Sequence, residues 1–592
     1  MNSVETNHPN TQRIITLACA VCTSLVILLI MNRDYPMVGH DYAYFVPHLM
    51  DTGIHMRLHG LSIQWYTPGF GGGLPAYPNP QHMEYSIVQF ISLLTDPWTA
   101  VLISTALISL VGYYYFYKFL SQNLGLNWMA STLGAMFFIG NGFYIEHLIA
   151  GQMGYQLFPF FAIILYTLTD PGRNYIYYSA IISVIIALTI HQAGFYLIVI
   201  LILSLGITLP LLYLYKPQMI DLKKLGWLAV FSLVLAGTMA ASKLYAALAF
   251  MRHFPREAFD EYNVGIFQGM IGMAAQLLGV MNLTPFLSMA NHDPGILTGI
   301  LIKMTGAEYG IWETDTGLSP VLIIFLGAAI IKFIRGVLIK PRIQLGRPQL
   351  FALILLALAT WITVDFSLAN GIIYSATKQL PILRSMHINV RFVSAFIVPL
   401  IIIGTYELDR FFLERGKLLR FTIVALVTTL FLCTYFALSA PIHIRQFDAS
   451  IFAAFQKDIQ KGKILPVKTV EDISVWQGFA PAATSIKAYE PIFGYKLEEF
   501  KPQIKLGRIL EIEDGYFNMT NPASLVYPEI NQTFPFERIK EADRDKLQIF
   551  LNRGQPDWNL PLAQRILNWV SMISFLLCSG IILREIVNRT TH

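Results

Sequence analysis

The 592-residue sequence predicts an all-α polytopic membrane protein, and three observations carry the prediction. Hydrophobic residues make up 55% of the chain and charged residues only 13%, about half the roughly 25% usual in soluble domains. Mean hydropathy is +0.52, and a water-soluble fold of this length could not cover its surface with so few charges. Twelve apolar runs recur, near 14–31, 97–117, 127–145, 154–169, 174–190, 194–215, 225–242, 318–331, 349–364, 392–406, 421–440 and 562–583. Arg565 is the sole Asp, Glu, Lys or Arg within them. Runs of this kind supply about twelve transmembrane helices.

The connections between the runs fix an expected orientation. Lys216, Lys223 and Lys224, then Lys332, Arg335, Lys340, Arg342 and Arg347, then Arg410, Arg415, Lys417 and Arg420 crowd into short segments. The positive-inside rule places those segments, and both termini, in the cytosol. The long connections 32–96, 243–317 and 365–391, with the polar block 441–561, then face outward. That block is long enough for a small mixed α/β extracytoplasmic domain, with alternation through Ser485-Ile486-Lys487-Ala488-Tyr489 and a turn at Asp514-Gly515. The chain divides into a transmembrane part, 1–440, the outward domain, 441–561, and a final helix with a cytosolic tail, 562–592. Residues 264–290 and 294–302 are apolar but interrupted by Gly, Gln, Asn and Pro. They read as interfacial or re-entrant helices, or as a further pair of spans.

Composition also excludes functions. A formal charge of +5 leaves no footprint for nucleic acid. Cys19, Cys22, Cys433 and Cys578 all fall in apolar runs, so no disulfide framework holds the outward regions. The lack of outward cysteine favours a bacterial inner (plasma) membrane.

Candidate chemistry gathers on the outward side. The first loop opens with Gly39-His40-Asp41-Tyr42, which sets a carboxylate at the membrane boundary. Partial desolvation there raises a carboxylate's pKa and makes it a better proton acceptor from a sugar hydroxyl; a plain turn residue is the competing reading. A helix started by Pro47 follows. On it His48, Asp51, His55 and His59 share one face, while Phe45, Leu49, Met50 and Ile54 turn to lipid. That stripe is either the wet face of an interfacial helix or a divalent-metal site. The glycines and prolines of Trp65-Tyr66-Thr67-Pro68-Gly69-Phe70-Gly71-Gly72-Gly73-Leu74-Pro75 allow close backbone approach to a ligand, with a passive interfacial loop as the competing reading. Glu146-His147 and His191-Gln192 lie at helix ends. Lys243, Arg252 and Arg256 follow the seventh run, and Arg384, His387 and Arg391 precede the tenth. Cations at the interface suit a phosphate leaving group, although each taken singly is more often an ordinary interfacial anchor.

These residues resemble the GT-C superfamily of membrane glycosyltransferases, whose first helix leads into a long outward loop with an early Asp. Gly71-Gly72-Gly73-Leu74-Pro75 with Asn79-Pro80, Glu146-His147 ahead of Pro159, and Leu380-Pro381-Ile382-Leu383-Arg384 with Asn389-Val390-Arg391-Phe392 are similar to the YfhO-like branch. So are Glu490-Pro491-Ile492-Phe493-Gly494-Tyr495 and Phe517-Asn518-Met519-Thr520-Asn521-Pro522. The resemblance implies transfer of a sugar from a polyprenyl-phosphate or diphosphate carrier to a cell-envelope glycan, lipid or protein. It makes Asp41 the base of an inverting displacement, puts Glu146 and His147 at the donor or acceptor, and turns Arg391 to the lipid phosphate. Asp41 stands beside His40 and Tyr42 rather than in a paired acidic motif, so the metal requirement stays open. A lipid or glycan flippase or transporter and a non-catalytic assembly protein are the readings from other classes. Transporters usually carry ionisable groups on broken helices near the midplane, and no internal repeat is visible here.

Overall fold

The structure, a computed structural model, describes residues 9–32, 38–39, 41–70, 74–170, 174–253, 266–279, 311–339, 346–368, 371–384, 386, 388–413, 416–445 and 559–590, with short pieces between 457 and 555. Its helices are α1 Pro9–Asn32, α2 Tyr42–His59, α3 Ile87–Ser92, α4 Pro97–Lys118, α5 Trp128–Ile139, α6 Gly142–Ala150 and α7 Phe161–Thr169. They continue with α8 Tyr175–His191, α9 Phe195–Tyr215, α10 Leu222–Met239, α11 Ala241–His253, α12 Ile266–Leu278 and α13 Ile311–Thr314. The remainder are α14 Pro320–Ile339, α15 Arg347–Ser367, α16 Ile372–Thr377, α17 Pro381–Arg384, α18 Ile397–Phe411, α19 Lys417–His443 and α20 Leu562–Thr590.

Every predicted apolar run is mostly helical, but not all form a full span. Eight helical stretches among the described residues are long and apolar enough to cross a membrane: Asn10–Leu29, Pro97–Asn123, Trp128–Ala150, Phe195–Tyr215, Leu222–Met239, Arg347–Ser367, Asn389–Phe411 and Leu562–Asn588. Met153–Thr169 and Tyr175–His191 are shorter. So is α12, whose 13 residues rise about 20 Å, against a hydrocarbon core of about 30 Å. Residues 294–302 lie outside the described ones.

Burial sorts the helices. The α5–α6 stretch is buried almost throughout, whereas the last helix is exposed along nearly all its length. Leu17, Leu25 and Leu29 of α1, Phe231 and Val234 of α10, and Trp569, Leu576 and Leu577 of α20 are exposed. Apolar exposure on that scale belongs in lipid. The chain is a helical integral membrane protein.

Polar contacts mark two ends of the bundle. At one end the Asn127 backbone N–H donates to Asp409 (2.8 Å), Lys216 to the Asn123 carbonyl (3.0 Å) and Lys224 to the Asp170 carbonyl (2.7 Å). At the other the Asp41 N–H donates to the Ala150 carbonyl (2.9 Å), and Lys243 to the Tyr77 carbonyl (2.6 Å). The first loop, the end of α6 and the start of α11 therefore share one end.

Two breaks shape that end. Asn141 interrupts the apolar run 127–145: its side chain accepts from the Tyr144 N–H (3.0 Å) and donates to the Phe138 carbonyl (2.6 Å), starting α6 afresh. Gly151 ends α6 in a left-handed conformation, with φ +93. A Cβ there would stand 2.4 Å from the Tyr42 nitrogen, so only glycine lets the chain pass so close to the start of α2.

The first loop departs from expectation. Helix α2 begins at Tyr42, five residues before Pro47, which sits inside it at the cost of the bond to the Ala43 carbonyl. Phe45, Leu49, Met50 and Ile54 do not face lipid; each is at most 7% exposed, and the helix packs against α3 and α4. The following segment folds inward too. Tyr66–Thr67 pairs antiparallel with Leu74–Pro75, and Trp65, Phe70, Leu74 and Tyr77 pack on Ala246 and Phe250. A Cβ on Gly69 would meet the Asp51 carboxylate at 2.7 Å, so the close approach there is to the protein's own side chain. Gly71, Gly72 and Gly73 lie outside the described residues.

Most of 441–561 also lies outside them. Ile444–Arg445 pairs with Val38–Gly39, Lys468–Val470 runs parallel to Ala483–Ser485, and Ile512–Glu513 pairs antiparallel with Tyr516–Phe517; Asp514-Gly515 lies outside the described residues.

Candidate active site

The centre of this end is an ion pair that joins three parts of the sequence. Arg391 sits in the 3-10 turn Asn389–Phe396 that leads into α18. Its Nε donates to Glu313 Oε2 (2.6 Å), and a second guanidinium nitrogen donates to Glu313 Oε1. The remaining bonds run to the Tyr155 hydroxyl (2.9 Å) and the Gln152 side-chain oxygen (3.1 Å). Gln152 Nε2 returns to Glu313 Oε1 (3.1 Å). The Tyr196 ring covers the guanidinium at 4.9 Å, within cation–π range. Glu313, on α13 and outside the spans, is 4% exposed. Burial pushes its carboxyl up, but the charge and hydrogen bonds of Arg391, with His147 and Gln152, outweigh this and hold it at about 2.

His147 belongs to the same group. Its Nδ1 donates to the Phe143 carbonyl (2.7 Å), which turns Nε2 toward Glu313 Oε2 at 3.8 Å. Glu146, beside it on α6, is fully buried. Asp41 and Tyr42 adjoin the group through Ala150, Gly151 and Gln152. The Asp41 N–H bonds Ala150 and the Tyr42 hydroxyl donates to the Leu148 carbonyl (2.6 Å). The Asp41 side chain does not cap α2. An acid, a histidine and a buried guanidinium thus surround the C-terminal end of α6.

Beyond Arg391 the surface turns apolar. The Ser394 hydroxyl donates to the Arg391 carbonyl (2.6 Å) and lines a crevice with Phe161, Ile185, Thr189, Leu201 and Val398.

Of the His/Asp stripe of α2, His48, Asp51 and His55 are buried within the protein rather than forming a wet face. Asp51 is buried and accepts from Arg553 (2.6 Å), Gln64 (2.7 Å) and Thr67 (2.5 Å). Burial raises its carboxyl, but Arg553 and Thr67 more than offset this, so the group stays below its ordinary value. His55 bonds the Ser62 carbonyl through Nε2 (2.8 Å) and Gln555 through Nδ1 (3.0 Å), and burial pushes it down to about 4. His59 donates to the Arg553 carbonyl (2.9 Å). His48 stacks on Phe70, with ring centres 4.1 Å apart. No group of three or more His, Cys, Asp or Glu among the described residues is arranged to hold a metal ion.

Lys243 departs from the lipid-phosphate expectation as well. Its Nζ is spent on the carbonyls of Tyr77, Asn79 and His82, at 2.6, 2.8 and 3.2 Å. Burial pushes it down to about 7. Nearby Glu84, 1% exposed, is pushed up to about 8 by burial, against the Gln64 N–H and Lys243. A carboxyl raised in the fold contributes most stability when protonated. Glu84 therefore makes stability fall as pH rises from about 4.5 towards 8. Thermal unfolding across that range is expected to show E84Q flatter than the parent protein by a few kcal/mol; identical profiles would remove Glu84 as the cause.

His191 lies against Tyr77 and Tyr85, with ring centres at 6.4 and 5.9 Å. Arg252 and Arg384 are exposed. His40, Arg256 and His387 lie outside the described residues. Sequence reading missed Glu313, Gln152, Tyr155 and Arg553. Glu313 carried a usable signal, an acid just ahead of an apolar run, as Arg391 is a base just ahead of another.

Fold and site together define a polytopic helical membrane protein with a buried charged centre at one end of its bundle. No protein family model matches the chain, and no curated protein matches it. Two solved structures are similar to it. The cryo-EM structure of the arabinofuranosyltransferase AftD from Mycobacteria matches with TM-score 0.42 and 12% identity, over 80% of this chain and 32% of that one. The crystal structure of ArnT from Cupriavidus metallidurans in the apo state matches with TM-score 0.39 and 12% identity, over 90% of each chain. The chain spans about a third of the arabinofuranosyltransferase's length. Likeness at this level assigns neither fold nor activity.

Proposed function

We propose that the protein is a GT-C-type glycosyltransferase that uses a polyprenyl-phosphate-linked or diphosphate-linked sugar to glycosylate a cell-envelope glycan, lipid or protein on the non-cytosolic face. The observation that carries this reading is Arg391. Its guanidinium is buried and already holds a carboxylate, Asp41 lies across the end of α6, and the apolar crevice begins one turn away. A cationic cradle, a carboxylate and an adjoining apolar surface are what such a transfer needs.

In the proposed step Asp41 accepts the proton of the acceptor hydroxyl as its oxygen bonds to the sugar's anomeric carbon. The bond from that carbon to the phosphate oxygen breaks, and the electron pair leaves with the lipid phosphate. Arg391 stabilises the charge that develops there. Attack opposite the leaving group inverts the anomeric centre. Glu146 and His147 border the sugar.

The test is transfer from a labelled polyprenyl-phosphate sugar by the purified full chain. Asp41→Asn is expected to lose at least 100-fold in rate, with its thermal unfolding unchanged. Full activity in D41N would remove Asp41 from the mechanism, and the absence of transfer by a folded parent protein across lipid-linked sugars would overturn the enzyme reading.

A further inference from the structure

We propose that the Glu313 carboxylate is an internal occupant of an anion site, and that a lipid-linked phosphate enters by displacing it from Arg391. The inference rests on reading Arg391 as the phosphate ligand.

The site is built for an anion. Arg391 offers Glu313 two adjacent N–H groups, the fork geometry that fits carboxylate and phosphate equally. Gln152 Nε2 donates to the same carboxylate (3.1 Å), and His147 Nε2 faces it at 3.8 Å. The other guanidinium bonds go to Tyr155 and Gln152. A phosphate therefore cannot take the fork while Glu313 holds it.

Glu313 is the member able to leave. Arg391, Gln152 and His147 are carried on longer buried stretches, whereas Glu313 is carried on α13, a single turn of four residues, with residues 315–319 after it buried as well. The exchange also balances charge, since a phosphodiester-linked sugar carries one negative charge, as the carboxylate does. The released lipid phosphate is a monoester with about −1.5 to −2 charge. Return of Glu313 to the fork competes with that product and helps expel it.

Binding of farnesyl phosphate and of farnesol to the full chain in nanodiscs tests the proposal. E313Q keeps the size and the acceptor oxygen but drops the charge. It is expected to bind farnesyl phosphate at least tenfold tighter than the parent protein, with farnesol unchanged. In the parent protein, hydrogen exchange over 311–314 is expected to rise when farnesyl phosphate is added, a readout that does not depend on a variant folding. Equal or weaker phosphate binding by E313Q, or unchanged exchange, overturns the displacement. If R391A binds farnesyl phosphate as well as the parent protein does, the phosphate reading of Arg391 fails instead.

Discussion

Arg391→Ala is expected to lower transfer at least 100-fold and to destabilise the protein by about 3–5 kcal/mol. On the proposed function, the first effect follows from losing the cation assigned to the leaving group; removal of one such preorganised donor elsewhere costs 10²–10³-fold in rate. The second follows from Glu313, which is left buried without its counter-charge. The two effects separate in a double variant. R391M/E313L removes both charges together and is expected to recover most of the lost stability while staying inactive, because breaking a buried pair costs far more than replacing it. Thermal unfolding and transfer rate, measured on the same preparations, check both. Arg391→Lys keeps the charge but not the fork, and is expected to fall between the parent protein and R391A. A fully active R391A would sever the ion pair from the chemistry.

The second large effect concerns the contact that ties residue 553 back to the first loop. Arg553→Ala is expected to cost about 3–5 kcal/mol, since Asp51 and Arg553 are both nearly wholly buried. Arg553 is also held at φ 56, a left-handed conformation that costs a non-glycine residue of the order of 1 kcal/mol. Its side-chain bond to Asp51 and its carbonyl bond from His59 hold it there. The pH dependence carries a sign. In the parent protein the Asp51 carboxyl lies below its ordinary value, so its contribution is present above about pH 3.9 and is lost as pH falls through the depressed value. Without Arg553 burial dominates and raises the carboxyl, so R553A is expected to gain stability as pH drops from 7 to 5. A melting profile with the parent's slope would show that the charge of Arg553 does not govern Asp51.

The two ion pairs show how the sequence was legible in part. Arg391 stood out because a base directly before an uncharged run is costly unless something at the membrane boundary needs it. Glu313 occupies the mirrored position before the run 318–331, but nothing local says that the two meet. The α2 stripe misled for a related reason. Spacing of three and four residues puts His48, Asp51, His55 and His59 on one face whatever that face touches. In the fold its Asp51 meets Gln64, Thr67 and Arg553. Lys243 shows the same limit: a lone cation after an apolar run suggested a phosphate ligand, and the loop 77–82 consumed its donors with backbone carbonyls.

By itself the sequence determined that the chain is helical and sits in a membrane, and where the apolar runs lie, because hydropathy and charge depletion act over single segments of about 20 residues. Tertiary structure decided which helices are central, that α2 is enclosed rather than lying at the interface, and which acid meets which base. Those outcomes depend on partners 78 and 502 residues apart in the chain. A buried charge is stabilised by whatever opposite charge the fold delivers to it, and no local pattern names that partner.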